Sequence, residues 1–208
     1  MALISEEVSP VLATTVEPLA VGYHAVIRAD VKTSDRVLII GGGPIGQAIG
    51  LACARIGVTD FLISEPSVSK REYISNFAFK SISPSELSSF YQKNSKPNVV
   101  FDAVGNTFSF SDAFTFSDVA ARIVLVGMDT PELAIPSYEV SADERTILGS
   151  YCYTNKEFAD TASWLGSNFQ LVSPFVSDVI PMSKAPEMFE RLCAGDFEYN
   201  RVVISQDA

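Results

Sequence analysis

Three glycines and a carboxylate carry the chemistry legible in this chain. Gly41, Gly43 and Gly46 satisfy G-x-G-x-x-G, with Pro44 and Ile45 between the last two, and Glu65 follows Gly46 by nineteen residues. Each has a task in holding a dinucleotide. Gly41 permits a tight turn out of a strand. Gly43 has no side chain, so a pyrophosphate can reach the backbone. Gly46 lets the following helix pack against the sheet. The helix start offers unpaired N–H groups and a partial positive charge to phosphates. An acid about 20 residues further on accepts from the ribose hydroxyls. A glycine-rich turn in an unrelated α/β protein is the plainer reading, and it does not predict the acid.

These residues need a strand before them, a helix after them and a second strand ending at the acid. The sequence supplies all three. Residues 37–40 are four consecutive apolar residues, as in a strand buried on both faces. Residues 45–56 suit a helix, and 61–64 suit a second strand ending beside Glu65. Upstream, Glu17-Pro18 opens an apolar helical pattern over 19–27, with proline in the first turn. Downstream, helices are expected at 69–77, 85–94, within 109–120, at 157–166 and at 186–194. Strands are expected at 79–82, 98–104, 122–127, 133–135, 146–148, 176–180 and 202–204. Strands alternating with helices predict an α/β fold, a Rossmann-type doubly wound parallel sheet with flanking helices.

Composition bounds the rest. With 208 residues, 47% hydrophobic and 19% charged, the chain can bury a core. A net charge of −10 argues against nucleic acid and anionic membranes as partners. Residues 37–54 are apolar enough to suggest a membrane span, but three adjacent glycines, Pro44 and Gln47 fit strand-turn-helix instead. The three cysteines, Cys53, Cys152 and Cys193, are far apart and form no C-x-x-C pair. Read as scattered buried thiols, they fit a reducing, cytoplasmic setting. No basic N-terminal region marks a signal peptide.

Several motifs in order and spacing resemble the zinc-dependent medium-chain dehydrogenases, nearest the sorbitol, butanediol and threonine dehydrogenase branch. They are Glu17-Pro18-Leu19-Ala20-Val21-Gly22-Tyr23-His24, the glycine turn, Ser64-Glu65-Pro66-Ser67, Phe101-Asp102-Ala103-Val104-Gly105, Ile123-Val124-Leu125-Val126-Gly127, Leu148-Gly149-Ser150-Tyr151 and Asn200-Arg201-Val202-Val203-Ile204. The resemblance implies three parts. Residues 1–32 are a lead-in and a helix from the interdomain region. Residues 33–150 are an NAD(P)-binding Rossmann domain. Residues 151–208 pack back toward a catalytic domain. The family's preceding barrel-like domain, which supplies Cys and His–Glu ligands to catalytic zinc, has no counterpart here. Smaller departures fall at turns: Ser34-Asp35 for Gly-Asp, Ala120-Ala121 for paired glycines, and Phe77-Ala78-Phe79 for Gly-Ala-Asp.

The resemblance also assigns roles. Glu65 grips the adenosine ribose and favours NAD over NADP, although Lys70 and Arg71 are cations that suit a 2′-phosphate. Arg71 stacks on adenine. Ala103, Val104 and Gly105, then Val126, Gly127 and Met128, then Ser150 and Tyr151, lie at strand ends on the nicotinamide side, and Val21 packs on that ring from the other side. Arg201 reaches the pyrophosphate. Glu17 takes the third protein position at catalytic zinc. One carboxylate cannot hold zinc, which needs three protein ligands, so the chain alone is expected to bind none. His24, the sole histidine, lies among apolar neighbours and reads as packing. Phe108, Phe110, Phe114 and Phe116 read as core or interface.

Two functions follow. One is the NAD-binding part of a zinc-type alcohol or polyol dehydrogenase, which passes hydride between a secondary alcohol and nicotinamide and is inactive as the isolated chain. The other is a non-catalytic NAD(H)-binding or interaction module. Short-chain dehydrogenases need Tyr-x-x-x-Lys, and no tyrosine here has lysine four residues on. Methyltransferases leave Glu17-Pro18 unexplained. A homodimer is expected through a sheet edge, with the apolar stretch 133–140 as that edge.

Overall fold

In the computed structural model, which describes residues 4–195 and 200–206, the chain enters through two helices, α1 (Pro10–Ala13) and α2 (Val16–Arg28). It then alternates: β1 (Val37–Ile40), α3 (Pro44–Ile56), β2 (Phe61–Ser64), α4 (Val68–Ile74), β3 (Ser81–Ile82), α5 (Leu87–Tyr91), β4 (Val99–Asp102) and α6 (Thr107–Phe116). Next come β5 (Arg122–Leu125), α7 (Ser137–Ala142), β6 (Thr146–Gly149), α8 (Asn155–Val172), β7 (Asp178–Pro181), α9 (Ala185–Cys193) and β8 (Val202–Ser205). The ends of the lead-in and of the C-terminal segment, residues 1–3, 196–199 and 207–208, lie outside the described residues.

β3-β2-β1-β4-β5-β6 form one sheet with every pairing parallel. This is the doubly wound order, in which the chain reverses direction across the sheet between β1 and β4. β1 and β4 are central, and all their residues are buried. Their alternate side chains supply two cores. Val37, Ile39 and Phe101 pack with Ala25, Ile49 and Cys53 of α2 and α3. Leu38, Ile40 and Val100 pack with Leu87, Phe110 and Phe114 of α5 and α6. A third cluster joins Leu12 of α1 and Leu165 of α8 to Leu19 of α2 and Leu51 of α3, so α1 and α8 form an outer layer on the two helices that cover the sheet. The crossing of α2 and α3 is close: a Cβ on Gly22 would sit 2.5 Å from the Ala48 carbonyl carbon. β7 and β8 pair in a separate two-stranded sheet.

Two expectations are corrected. Residues 133–135 are not a strand, and 137–142 are α7. Pro131 and Pro136 remove ladder donors on either side, and Leu133 and Val140 pack against the α5–α6 core. Only these two apolar residues turn toward that core, while Ile135 and Tyr138 are exposed, and the sheet ends at β6. The thiols also differ. Cys53 is buried, and burial together with the charge of Asp35 pushes it up to about 12. Cys152 and Cys193 are exposed.

The amino-terminal end of the sheet strands is tied by Asp35, just before β1. Its carboxylate accepts from the Lys32 N–H at 2.8 Å, Asn98 Nδ2 at 2.8 Å and Arg122 Nη2 at 2.6 Å. Arg122 also donates to the Ala29 and Asp30 carbonyls, joining β5 to the end of α2. Burial alone would raise the Asp35 carboxyl, but the bonds from Lys32, Arg122 and Asn98 outweigh it and hold the group below the usual carboxylate range. A depressed folded pKa stabilises above the unfolded value of about 3.9, and that contribution is lost as pH falls through the folded value. Denaturant titrations from pH 6 to 3 are therefore expected to show stability falling with acid. Asp35→Asn should flatten that limb, and Asp35→Ala should cost about 3 kcal/mol, since it removes the acceptor shared by the Lys32 N–H, Asn98 and Arg122.

Ala120 has φ +57°, at the turn where the resemblance expects paired glycines. An L-residue there costs about 1 kcal/mol, and glycine does not. Ala120→Gly is expected to raise the melting temperature by about 2 °C in calorimetry.

Candidate dinucleotide site

The reversal between β1 and β4 opens a crevice at the carboxyl ends of the strands, where open α/β sheets bind ligands. The glycine turn leaves β1 there. Gly41 has φ +96°, and its N–H donates to the Ser64 carbonyl at 2.8 Å. A Cβ on Gly46 would lie 1.9 Å from the Gly41 carbonyl oxygen, so turn and helix are in backbone contact. Gly43 is extended and caps α3, and a Cβ there would meet nothing within 4 Å. Pro44 is the first helical residue and lacks an N–H, leaving the Ile45 and Gly46 N–H groups without helical acceptors. Open space in front of free amide donors fits a diphosphate.

Glu65 closes the other side. Its Oε2 accepts from the Gly42 N–H at 2.8 Å and its Oε1 from the Ser67 N–H at 2.9 Å, and the residue is 4% exposed. The carboxylate thus clasps the glycine turn, and each oxygen keeps a second lone pair for a sugar hydroxyl. Arg71 Nη1 donates to the Glu65 carbonyl at 2.7 Å and the Pro66 carbonyl at 2.8 Å. It bridges the turn after β2 at the rim beside Glu65.

One clasp was missed from sequence. Gln47, 1% exposed, donates from Nε2 to the Gly42 carbonyl and to Asn200 Oδ1, both at 2.8 Å. The signal available was a polar residue inside an otherwise apolar helix. Its partner, 153 positions away, gave none.

The loops after β4 and β5 form the other half. Asp102 is fully buried. Its Oδ1 accepts from the Val104 and Gly105 N–H groups, and its Oδ2 from Ser109 Oγ at 3.0 Å. Burial raises its carboxyl against these bonds. A Cβ on Gly105 would lie 2.2 Å from the Gly127 carbonyl oxygen, so the two loops touch through backbone. Val126, Gly127, Met128, Ser150 and Tyr151 line one cleft of about 590 Å³ with Phe110 and Leu133. Met128 and Tyr151 are exposed, and the Ser150 Oγ is buried without a partner. Ala103 and Val126 pack on the side of α2 and α3, Val104 on the side of α6. Val21 is half-buried on α2.

The remaining sequence candidates make contacts of their own. Arg201 Nη2 lies 3.5 Å from the Thr14 carbonyl. His24 Nδ1 lies 3.0 Å from Glu157 Oε2 and ties α2 to α8. Burial raises the Glu157 carboxyl, but bonds from the Thr154 N–H and hydroxyl and from His24 outweigh it and hold the group low. Of the four phenylalanines, Phe110 and Phe114 are core, while Phe108 is exposed. Glu17 is exposed in the first turn of α2, where the helix dipole favours it. Among the described residues no three His, Cys, Asp or Glu side chains gather as metal ligands.

The profile of the zinc-binding dehydrogenases matches residues 44–167, more than half of the chain. The chain belongs to that zinc-binding dehydrogenase family. It corresponds to the family's C-terminal, coenzyme-binding portion. Relatives within the family include 2-dehydro-3-deoxy-L-galactonate 5-dehydrogenase of Pseudoalteromonas atlantica, 28% identical over 182 residues, covering 85% of this chain and 53% of that protein. Sorbitol dehydrogenase of Bos taurus is 30% identical over 183 residues, covering 84% and 51%. The chain thus spans about half the length of these relatives. Among solved structures, L-idonate 5-dehydrogenase of Escherichia coli superposes with a TM-score of 0.85 at 22% identity, over 97% of this chain and 58% of that one. Acetophenone reductase of Geotrichum candidum, solved with NAD, superposes at 0.81 with 21% identity, over 98% and 58%.

Proposed function

We propose that this chain is the NAD-binding half of a zinc-type alcohol or polyol dehydrogenase. The observation that carries the reading is the open cradle at Gly43, bounded by the start of α3 and by the Glu65 clasp on Gly42. Polyol dehydrogenases among the relatives, and a structural neighbour solved with NAD, support it.

Bound NAD supplies the nicotinamide ring that gives or takes a hydride. The residues here bind and orient it. Gly43, Ile45 and Gly46 donate N–H groups to the diphosphate, and Glu65 accepts from the adenosine ribose. Arg71 flanks the adenine end, and Arg201 is the cation nearest in sequence to the Asn200–Gln47 contact. Ala103, Val104 and Gly105 with Val126, Gly127 and Met128 border the nicotinamide side, as do Ser150, Tyr151 and Val21. Glu17 would act at zinc only beside ligands from elsewhere in a full-length protein, so the 208 residues alone bind cofactor without turnover. A homodimer belongs to the same reading, with the free edge of β6 in place of residues 133–140.

Affinity for NAD against NADP, measured by calorimetric titration, tests the proposal. The Glu65 carboxylate should repel a 2′-phosphate and favour NAD by roughly tenfold or more. Glu65→Gln keeps an acceptor but loses the charge, and should narrow that ratio. Tighter NADP binding by the wild type would remove Glu65 as the selector.

A further inference from the structure

The geometry points to Gln47 and Asn200 as positioning residues for the diphosphate, acting through the peptide between Gly42 and Gly43. This inference rests on the NAD-binding reading above. The Phe175 carbonyl accepts from Asn200 Nδ2 at 3.0 Å, which fixes the orientation of that amide. Asn200 must then present Oδ1 to Gln47, an acceptor that demands the Nε2 end of the glutamine. The same Nε2 meets the Gly42 carbonyl at 2.8 Å. One backbone carbonyl at the entry to β7 therefore sets two side-chain amides and, through them, the Gly42 carbonyl.

The consequence falls on the next N–H. No cis peptide occurs among the described residues, and in a planar trans peptide the C=O and N–H point opposite ways. With the Gly42 oxygen drawn inward to Gln47, the Gly43 N–H is turned outward. Space is open at that residue, where a Cβ would meet no atom within 4 Å. The preceding peptide is held separately, by Glu65 on the Gly42 N–H. The relay has a cost: the Gln47 Oε1 is buried with no donor. A leucine of similar bulk would avoid that orphan but leave the Gly42 carbonyl unheld.

The test is titration of the full chain, wild type, Gln47→Leu and Asn200→Leu, with NAD and with adenosine, which has the sugar and no phosphate. Loss of the orienting bond should weaken NAD about tenfold in Gln47→Leu. Asn200→Leu should weaken it in the same direction, and adenosine should bind all three proteins alike. Asn200→Leu leaves the glycine turn and α3 unaltered in sequence, so it carries the test if Gln47→Leu fails to fold. Variants that bind NAD as well as the wild type, or that lose adenosine and NAD equally, would overturn the relay alone. A wild-type chain that ignores NAD would overturn the relay and the proposed function together.

Discussion

Gly43→Asp is expected to weaken NAD binding by at least about a hundredfold while leaving the melting temperature unchanged or slightly raised. The two effects separate because the position is open. Its backbone is extended, at φ −68° and ψ −175°, which any residue adopts. The new Cβ meets no atom within 4 Å. Aspartate is also a good helix N-cap, since its carboxylate can accept from the free N–H groups of the first turn. Those are the donors a diphosphate needs, so the carboxylate would occupy the site and repel a second anion. Calorimetric titration beside a thermal melt reads both quantities. NAD binding that survives the substitution would move the diphosphate away from α3.

Gly46→Ala, three residues on, should do the reverse. Its Cβ would lie 1.9 Å from the Gly41 carbonyl oxygen and 3.0 Å from the Gly41 carbonyl carbon. Both belong to the Gly41–Gly42 peptide, held by the bond from the Gly42 N–H to Glu65, and the preceding peptide is held by the bond from the Gly41 N–H to Ser64. Neither can rotate aside as a flexible side chain would. Either the turn or α3 must shift, at about 3 kcal/mol or more, lowering the melting temperature by roughly 6–12 °C. Urea denaturation measures this without cofactor. A melting temperature within a degree of wild type would mean that α3 slides easily on the sheet.

The geometry of the candidate site was legible where it is local. Gly41, Gly43, Gly46 and Glu65 lie in one strand-turn-helix-strand unit, and their short spacing encodes that unit. β1 and the first three residues of β4 were readable because strands buried on both faces carry apolar runs, and β4 ends in the buried Asp102. The stretch 133–140 was misread because an apolar run does not say what covers it. Its leucine and valine pack on α6, and prolines deny it a ladder. Exposure of Cys152 and Cys193 was invisible for a similar reason: a lone thiol carries no pattern. The amide contact from α3 to Asn200 depends on how a distant segment folds back, which local spacing does not encode. The departure at Ala120-Ala121 was visible in sequence, and only the backbone angle shows that the first alanine bears the strain.

Arg55 lies over the ring of Tyr23 on α2 and over that of Trp164 on α8, 3.8 and 5.3 Å from the ring centroids. Trp164 is the only tryptophan in the chain. Its intrinsic fluorescence therefore speaks for a single junction, the seam where α8 rests on the helices above the sheet. Peeling of that outer layer would shift the emission to longer wavelength while circular dichroism of the central sheet stayed constant, so an optical signal can tell partial undocking from global unfolding without any attached label.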